Sequence, residues 1–296
     1  MNRYYEIIFR SILNLALLTA PVKILSQTNK IISDTARDTT DSEASKHTLF
    51  SSLGYGTNFI YLGSTISGNQ PYEYASLIYG FKSELYASAS AVHLSSISPF
   101  LAFYSGTLSY SHVFNSWFDI SASFSRYQVT ASLQDDLFNS FYYSDLTAGF
   151  DWRILYTKIT GGILFSEEEK NGYLQIRNSR YFQSREFTKN KFYFSFDPYI
   201  TVLLGTITKI ETTEGNIIKV SPPYKKGGKY GQSDPVTTVS RSFGFMEADI
   251  GLPVSFNSGK FTFEAEPGYI MAGINDPEYT GPEGFYFTLS AYFRIF

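Results

Sequence analysis

Hydrophobic and polar residues alternate one by one along much of the chain. Between positions 246 and 256 the apolar set is Met246, Ala248, Ile250, Leu252, Val254 and Phe256, and mostly polar or small residues separate its members. Segments 192–204 and 261–271 repeat the pattern. A period of two places alternate side chains on opposite faces of a β-sheet. The runs exceed typical globular strands and are close to the roughly 9–11 residues with which a tilted strand crosses a bilayer.

The pattern predicts about twelve antiparallel strands, near residues 49–62, 73–81, 85–94, 101–114, 117–129, 141–152, 155–165, 173–186, 192–205, 239–256, 260–272 and 284–296. Tight turns such as Lys82-Ser83, Asn115-Ser116 and Asn257-Ser258-Gly259 alternate with longer loops, the longest of them at 206–238. Short turns at one end and long loops at the other are typical of a transmembrane barrel, and an even strand count places both termini on the short-turn, periplasmic side. We therefore predict an all-β, up-and-down transmembrane β-barrel.

One predicted strand, 173–186, fits this scheme least well. It places Asn178 and Arg180 on the lipid face. An arginine at the bilayer midplane costs roughly 2–4 kcal/mol. If this segment is a loop, the strand count falls or the register moves.

Composition supports a chain that is apolar on alternate residues only. Aromatic residues make up 18% of the sequence and charged residues 17%, but the mean hydropathy is −0.12. We find no apolar run near the roughly 18 residues that a spanning helix needs. A soluble sandwich or lipocalin-like protein is the competing fold, but aromatic residues near strand ends fit the interfacial girdles of a membrane barrel better.

The first 48 residues differ from the rest. Arg3 and Arg10 precede or flank an apolar core at Ser11–Ala20, which predicts a signal peptide over 1–26 with cleavage between Ser26 and Gln27. An ordinary buried helix is the alternative interpretation. Residues 27–48 are rich in Ser, Thr, Asp and Lys and predict a flexible periplasmic segment. The barrel is predicted to occupy 49–296.

The C-terminal segment carries a resemblance. Residues 284–296 read GFYFTLSAYFRIF and end in Phe296. Together with the signal peptide and the amphipathic strands, this segment resembles Gram-negative outer-membrane β-barrel proteins, at the level of the porin-like class. The resemblance implies an outer-membrane location, with outer-membrane lipids and the barrel-assembly machinery as partners.

Charged residues on the inward parity are the candidate functional residues. The predicted pore-lining set is Asp197, Glu247, Asp249, Glu264, Glu266, Lys158, Arg177 and Arg185. Buried charges need partners or water, so the set predicts a salt-bridge network, a solute-selecting constriction, or both. The sequence therefore favours a passive or weakly selective channel for small solutes, or a barrel with a structural role.

Two alternatives stay open. Glu73, His93 and Ser95 share one predicted outer face, with Glu73 directly across from His93, and this resembles the external His-x-Ser of outer-membrane lipid hydrolases. The lysine-rich loop 206–238 is predicted to be a solvated surface loop, and a lumen plug or a barrel that binds surface ligands through this loop are the alternatives. No metal, phosphate-loop or cofactor motif is present, and with no cysteine and a net charge of −3 nothing indicates a thiolate site or nucleic-acid binding. An enzyme is not the favoured interpretation, and no cofactor is expected.

Overall fold

Twelve long antiparallel strands form a closed barrel in the described part of the chain. The structure is a computed structural model that describes residues 47–95, 97–133, 137–166, 170–187, 192–212, 215–220, 236–276 and 279–296, with side chains left out at 210–220, 236–239, 275–276 and 279–280. The predicted signal peptide and nearly all of the predicted periplasmic segment lie outside these residues. Among them, no helix is long and apolar enough to span a membrane.

The barrel strands follow one another in chain order. They are β1 His47–Gly56, β2 Tyr72–Phe81, β3 Leu85–Leu94, β4 Phe103–Val113, β5 Phe118–Val129, β6 Phe141–Asp151, β7 Tyr156–Phe165, β8 Lys170–Ser179, β9 Tyr199–Thr212, β10 Val236–Gly251, β11 Phe261–Ala272 and β12 Gly284–Arg294. β12 closes the barrel on β1, with Phe50 opposite Arg294 and Gly56 opposite Thr288. Closure leaves no unpaired strand edge in the membrane, as the hydrocarbon requires.

The outer surface of the barrel is apolar. Large hydrophobic side chains project outward from nearly every strand, among them Leu53, Leu77, Leu108, Leu146, Ile163, Phe263 and Leu289. Trp117 and Trp152 are exposed at the short-turn end, where aromatic rings lie at the membrane interface. A continuous band of this size on a closed barrel is the lipid-facing surface of a membrane protein.

The short turns have the local chemistry that the sequence predicted. Lys82 and Ser83 both have positive φ angles, of 53° and 55°, as a tight hairpin turn with the right-handed strand twist requires. The Asn115 Oδ1 accepts hydrogen bonds from the backbone N–H groups of Trp117 and Phe118, at 3.0 and 2.9 Å. The predicted turns therefore lie at the periplasmic end, next to the beginning of β1 and the end of β12.

The weakest predicted strand is a full member of the barrel. β8 pairs with β7 from Lys170 to Ser179 and with β9 from Tyr173 to Ser179. Asn178 lies near its periplasmic end, where Thr157 donates a hydrogen bond to its Oδ1 at 2.7 Å. Arg180 follows the strand, with its guanidinium carbon 5.2 Å from the Phe182 ring centroid. These polar groups therefore lie at the membrane rim, and the cost of a midplane arginine does not arise.

Two predictions about the outer end of the barrel were wrong. The first strand ends at Gly56 rather than near residue 62, and the residues after it turn into the barrel. The described residues of the predicted loop 206–238 are strand, because β9 continues to Thr212, Gly215–Val220 pairs back on β9, and β10 begins at Val236. Polar, lysine-rich composition suggested a loop, but paired strands that extend past the membrane tolerate polar residues on both faces.

Candidate functional site

The connection between β1 and β2, residues 57–71, folds into the outer end of the lumen, and we call it the plug. Its Phe59, Tyr61, Leu62 and Ile66 side chains are almost completely buried. Asn58 organises the segment, because its Oδ1 accepts hydrogen bonds from Thr65 Oγ1 at 2.6 Å and from Ser67 Oγ at 3.0 Å. A short hairpin, Ile60–Tyr61 with Ser64–Thr65, forms its tip. The plug is thus a folded unit that presents apolar side chains to the barrel wall.

The plug packs against aromatic side chains of the barrel wall. The Phe59 ring centroid lies 4.9 Å from that of Tyr72 and 5.4 Å from that of Phe103. The Tyr61 centroid lies 5.3 Å from Tyr127 and 5.9 Å from that of Phe141. Edge-on and offset contacts at these distances are favourable beyond simple burial. The outer end of the lumen is therefore a packed apolar core.

The plug also reaches the wall opposite Tyr127. Gly63 at its tip has a φ of +83°, and a Cβ placed there would lie 2.6 Å from Met246 Cε on β10. Leu137 and Phe138, from the connection after β5, are buried in the same cluster. The plug thus spans the lumen from β5 and β6 to β10.

Below the plug, one side of the lumen is lined by hydroxyl groups. Inward-facing serines and threonines of β1 to β7 form it, namely Ser52, Ser76, Ser90, Ser105, Thr107, Ser111, Ser121, Ser125, Thr147 and Thr160. Several bond across strands, as do Thr107 and Ser125, whose oxygens are 2.9 Å apart, and Thr147 and Thr160, at 2.8 Å. We call this surface the hydroxyl wall.

Carboxylates occupy the facing side. Glu247 and Asp249 of β10 and Glu264 and Glu266 of β11 point inward and are buried. The Tyr199 hydroxyl donates to Glu266 Oε1 at 2.6 Å, and the Tyr286 hydroxyl donates to Asp249 Oδ1 at 2.7 Å. We call these four residues the acidic wall.

Two glycines make this tyrosine arrangement possible. A Cβ at Gly251 would lie 2.4 Å from Tyr199 Cζ, and one at Gly268 would lie 2.1 Å from Tyr286 Cζ. Each ring therefore lies flat across the neighbouring strand, where only glycine leaves room. The rings carry their hydroxyls across the wall to the carboxylates.

Two cations lie between these surfaces. Lys158 of β7 and Arg177 of β8 are directly opposite in the strand register and both face inward. Lys158 is 4% exposed, and the Arg177 guanidinium carbon lies 3.6 Å from the Tyr199 ring centroid. Within the described residues, neither cation makes a hydrogen bond or an ion pair.

The structure brings most of the predicted set together. Glu247, Asp249, Glu264, Glu266, Lys158 and Arg177 share the lumen, and Asp197 lies half-buried at its periplasmic end, just before β9. Arg185 is exposed and lies beyond the short strand Phe182–Gln183, so it does not join them. The sequence had placed it on a strand that extends to residue 186.

Sequence reasoning missed two inward carboxylates. Asp119 of β5 accepts a hydrogen bond from the Tyr156 hydroxyl at 2.7 Å, and Asp145 of β6 accepts one from the Ser123 hydroxyl. Both are buried. Their parity with the neighbouring inward serines was a usable signal, because Asp119 alternates with Ser121 and Ser123 along one predicted strand.

The proposed hydrolase residues lie on the outer surface, as predicted. Glu73 is directly opposite His93 in the register of β2 and β3, and Ser95 follows the end of β3. However, His93 Nδ1 lies 2.6 Å from the Phe100 carbonyl oxygen, so Nδ1 carries the proton, and the two rings stack at 4.4 Å. In the described part of the chain, no hydrogen bond joins His93 to Ser95 or to Glu73. The nucleophile–base–acid arrangement is therefore not formed here.

Comparison with known proteins finds similar folds. No protein-family model and no curated protein matches the chain. Solved structures similar to it include LpxR from Salmonella typhimurium, with 8% identity and a TM-score of 0.46 over 82% of this chain and 99% of that one. A NanC porin structure has 8% identity and a TM-score of 0.45 over 83% and 98%. An outer membrane channel from Pseudomonas putida F1 has 11% identity and a TM-score of 0.42 over 87% and 99%.

The fold itself determines the class of protein. A closed antiparallel barrel with an apolar outer band, a polar interior and short turns at one end fits only a membrane-spanning role. Closure of β12 on β1 satisfies the last backbone edges within the bilayer. The chain is a β-barrel protein of the outer membrane.

Proposed function

We propose that this barrel is a channel for small polar solutes, closed at its outer end by the plug. The observation that carries the proposal is a contrast within one lumen. The outer end is packed with apolar side chains, whereas the periplasmic half holds many inward-facing hydroxyl and carboxylate groups beside a few buried apolar side chains such as Phe50 and Ile78. Burying polar groups away from water is costly, and a purely structural barrel is more simply filled with apolar side chains.

The charges of the lumen favour cations. Inward-facing carboxylates outnumber the inward-facing cations in the described residues; the carboxylates are Asp119, Asp145, Asp197, Glu247, Asp249, Glu264 and Glu266, and the cations are Lys158 and Arg177. An excess of one sign in a narrow, low-dielectric pore raises the local concentration of the opposite ion. The channel is expected to be weakly cation-selective.

The test is conductance of the purified protein in planar bilayers, with and without a packed plug. We expect rare openings of the wild-type protein. The variant Phe59→Ala with Tyr61→Ala removes two anchoring rings, so it should conduct steadily and prefer cations. Phe285→Ala is the matched control, since that aromatic ring is 88% exposed on the lipid side, and it should behave as wild type.

Folding of every variant is checked by heat-dependent migration on gels. If the wild type and the plug variant are both folded and neither conducts, the channel proposal is wrong. A barrel of structural role would then remain.

A further inference from the structure

The cross-strand pair of Lys158 and Arg177 is unfavourable by itself. Like charges directly opposite on adjacent antiparallel strands destabilise a sheet. Both side chains face the lumen. Neither can therefore reach the water outside the barrel to be solvated there. Such a pair requires anionic groups close by.

Two of the nearby carboxylates, Asp119 and Glu266, have other hydrogen-bond donors. Asp119 reaches across Gly149 and accepts a hydrogen bond from the Tyr156 hydroxyl at 2.7 Å. Glu266 accepts one from the Tyr199 hydroxyl at 2.6 Å. Each tyrosine offers its hydroxyl to a carboxylate and its ring face to a cation, because Lys158 Nζ lies 5.7 Å from the Tyr156 ring centroid and Arg177 packs on Tyr199.

The cations therefore keep donors that no described residue satisfies. Lys158 Nζ is buried and has no hydrogen-bond partner. Arg177 is held flat by the Tyr199 ring at 3.6 Å, which orients its N–H groups without using them. An unsatisfied buried donor costs free energy, and more when it is charged. Two oriented cations with available donors are the elements of an anion-binding site.

The space nearest the pair lies on its periplasmic side. A cavity of about 190 Å³ lies at this end, and its lining includes Tyr156, Ser179 and Asp197. Tyr156 and Ser179 are the next inward-facing residues below Lys158 and Arg177 on the same strands. Lys158 and Arg177 do not line this cavity but lie one inward-facing position above it, so a solute that enters it from the periplasmic side does not have to pass the plug.

From this geometry we infer that Lys158 and Arg177 form a subsite for the anionic group, a carboxylate or a phosphate, of a small solute in the lumen. Asp197 Oδ1 borders the cavity and has no hydrogen-bond partner among the described residues. It selects ligands that carry a hydroxyl or ammonium donor near the anionic group. The inference rests on the proposed function in that the solute is one that the channel admits.

Binding is tested on the full-length folded protein in detergent, by calorimetric titration with inorganic phosphate and with glycolate at constant ionic strength. We expect both anions to bind to the wild type. Lys158→Met should weaken binding about tenfold or more, as expected for the loss of a charge-assisted hydrogen bond. Arg177→Lys, which keeps the charge, should bind more tightly than Arg177→Met. Lys82→Met changes an exposed lysine in a periplasmic turn and should leave binding unchanged.

Thermal stability separates a binding role from a structural one. Because the pair repels and the Lys158 donor is unsatisfied, Lys158→Met should raise the melting temperature in the absence of anion while it removes binding. If Lys158 instead serves as a structural counterion to Asp119 or Asp197, the same variant melts at a lower temperature, which contradicts the inference.

Absence of phosphate and glycolate binding to the wild type, or unchanged binding to Lys158→Met, also overturns the subsite. Neither result bears on whether the lumen conducts, because conductance is measured separately with the plug variant.

Discussion

The two halves of the lumen are built from the same twelve strands but on opposite chemical principles. At the outer end, Phe59 and Tyr61 of the plug pack against wall aromatics in a core with very little solvent exposure. In the periplasmic half, the hydroxyl wall faces the acidic wall, and the two cations lie between them. The difference shows that a β-barrel can hold a stable core and a polar chamber in one sheet, since alternation fixes only which side chains face inward.

The largest expected effect is on the free energy of unfolding, which should fall much more for a variant in the outer half of the lumen than for one in the periplasmic half. Tyr61→Ala should lower the free energy of unfolding by about 3–5 kcal/mol, because it removes a buried aromatic ring and leaves a cavity. Ser121→Ala in the hydroxyl wall removes a single hydroxyl and should cost less than about 1.5 kcal/mol. Urea unfolding in detergent or lipid, followed by the gel shift, measures both. Equal losses for the two variants would mean that the halves do not differ as described.

The ion selectivity of the open channel should depend on the charges of the periplasmic half of the lumen and not on the plug. Glu247→Lys combined with Glu264→Lys places cations on the acidic wall, so it should lower or reverse the cation preference of the conducting plug variant. Reversal potentials in a salt gradient report the change. Arg126→Glu, which changes the charge by two units on the exposed outer face of β5, serves as the control and should not shift them. Selectivity that follows the outer charge instead would place the ion path outside this lumen.

A smaller effect is expected at the tip of the plug. Gly63→Ala forces a Cβ toward Met246 at a φ of +83° and should destabilise the protein by about 1–3 kcal/mol. Gly68→Ala has a similar φ of +61° but nothing within 4 Å of the added carbon. Both variants introduce backbone strain, but only Gly63→Ala also presses on β10. The difference between their melting temperatures therefore measures the effect of that contact. If they melt alike, the plug does not press against that wall.

No effect is expected on the outer surface at Ser95. Since no hydrogen bond joins His93 to Ser95 or Glu73 in the described residues, the purified protein should not deacylate phospholipid or lipid A, and Ser95→Ala should equal the wild type in stability. Turnover that disappears in Ser95→Ala would overturn the channel proposal in favour of a lipid hydrolase.

Most of the fold could be predicted because alternation is a local signal. The inward parity of Glu247, Asp249, Glu264 and Glu266 follows from neighbours two residues away, and it was correct. The plug could not be found in this way, since Phe59 and Tyr61 continue the alternating pattern of β1. They differ from β1 residues only in that they contact side chains across the lumen instead of lying in the sheet. Asn58 and the small polar residues after Gly63 were the available hints of a turn.

The tyrosine–carboxylate contacts depend on register rather than on parity. Tyr199 reaches Glu266 only because Gly251 lies across from it and leaves room for the ring. A single sequence gives strand register only to within a residue or two, and a shift by one moves a side chain to the other face. For the same reason, the sequence could not predict that Lys158 and Arg177 form no ion pair with the nearby carboxylates of the described residues.

The central claim, a polar chamber sealed from outside by the plug, is tested most directly by thiol accessibility. The chain has no cysteine, so Ser109→Cys places one reactive group on the inward face of β4. In intact cells, a small membrane-impermeant maleimide added outside should label Ser109→Cys slowly when the plug is intact and much faster when Tyr61→Ala is also present. Permeabilised cells should label both variants, and Ser95→Cys at the exposed outer end should react in every case. Equally fast labelling of Ser109→Cys from outside with the plug intact would contradict the account.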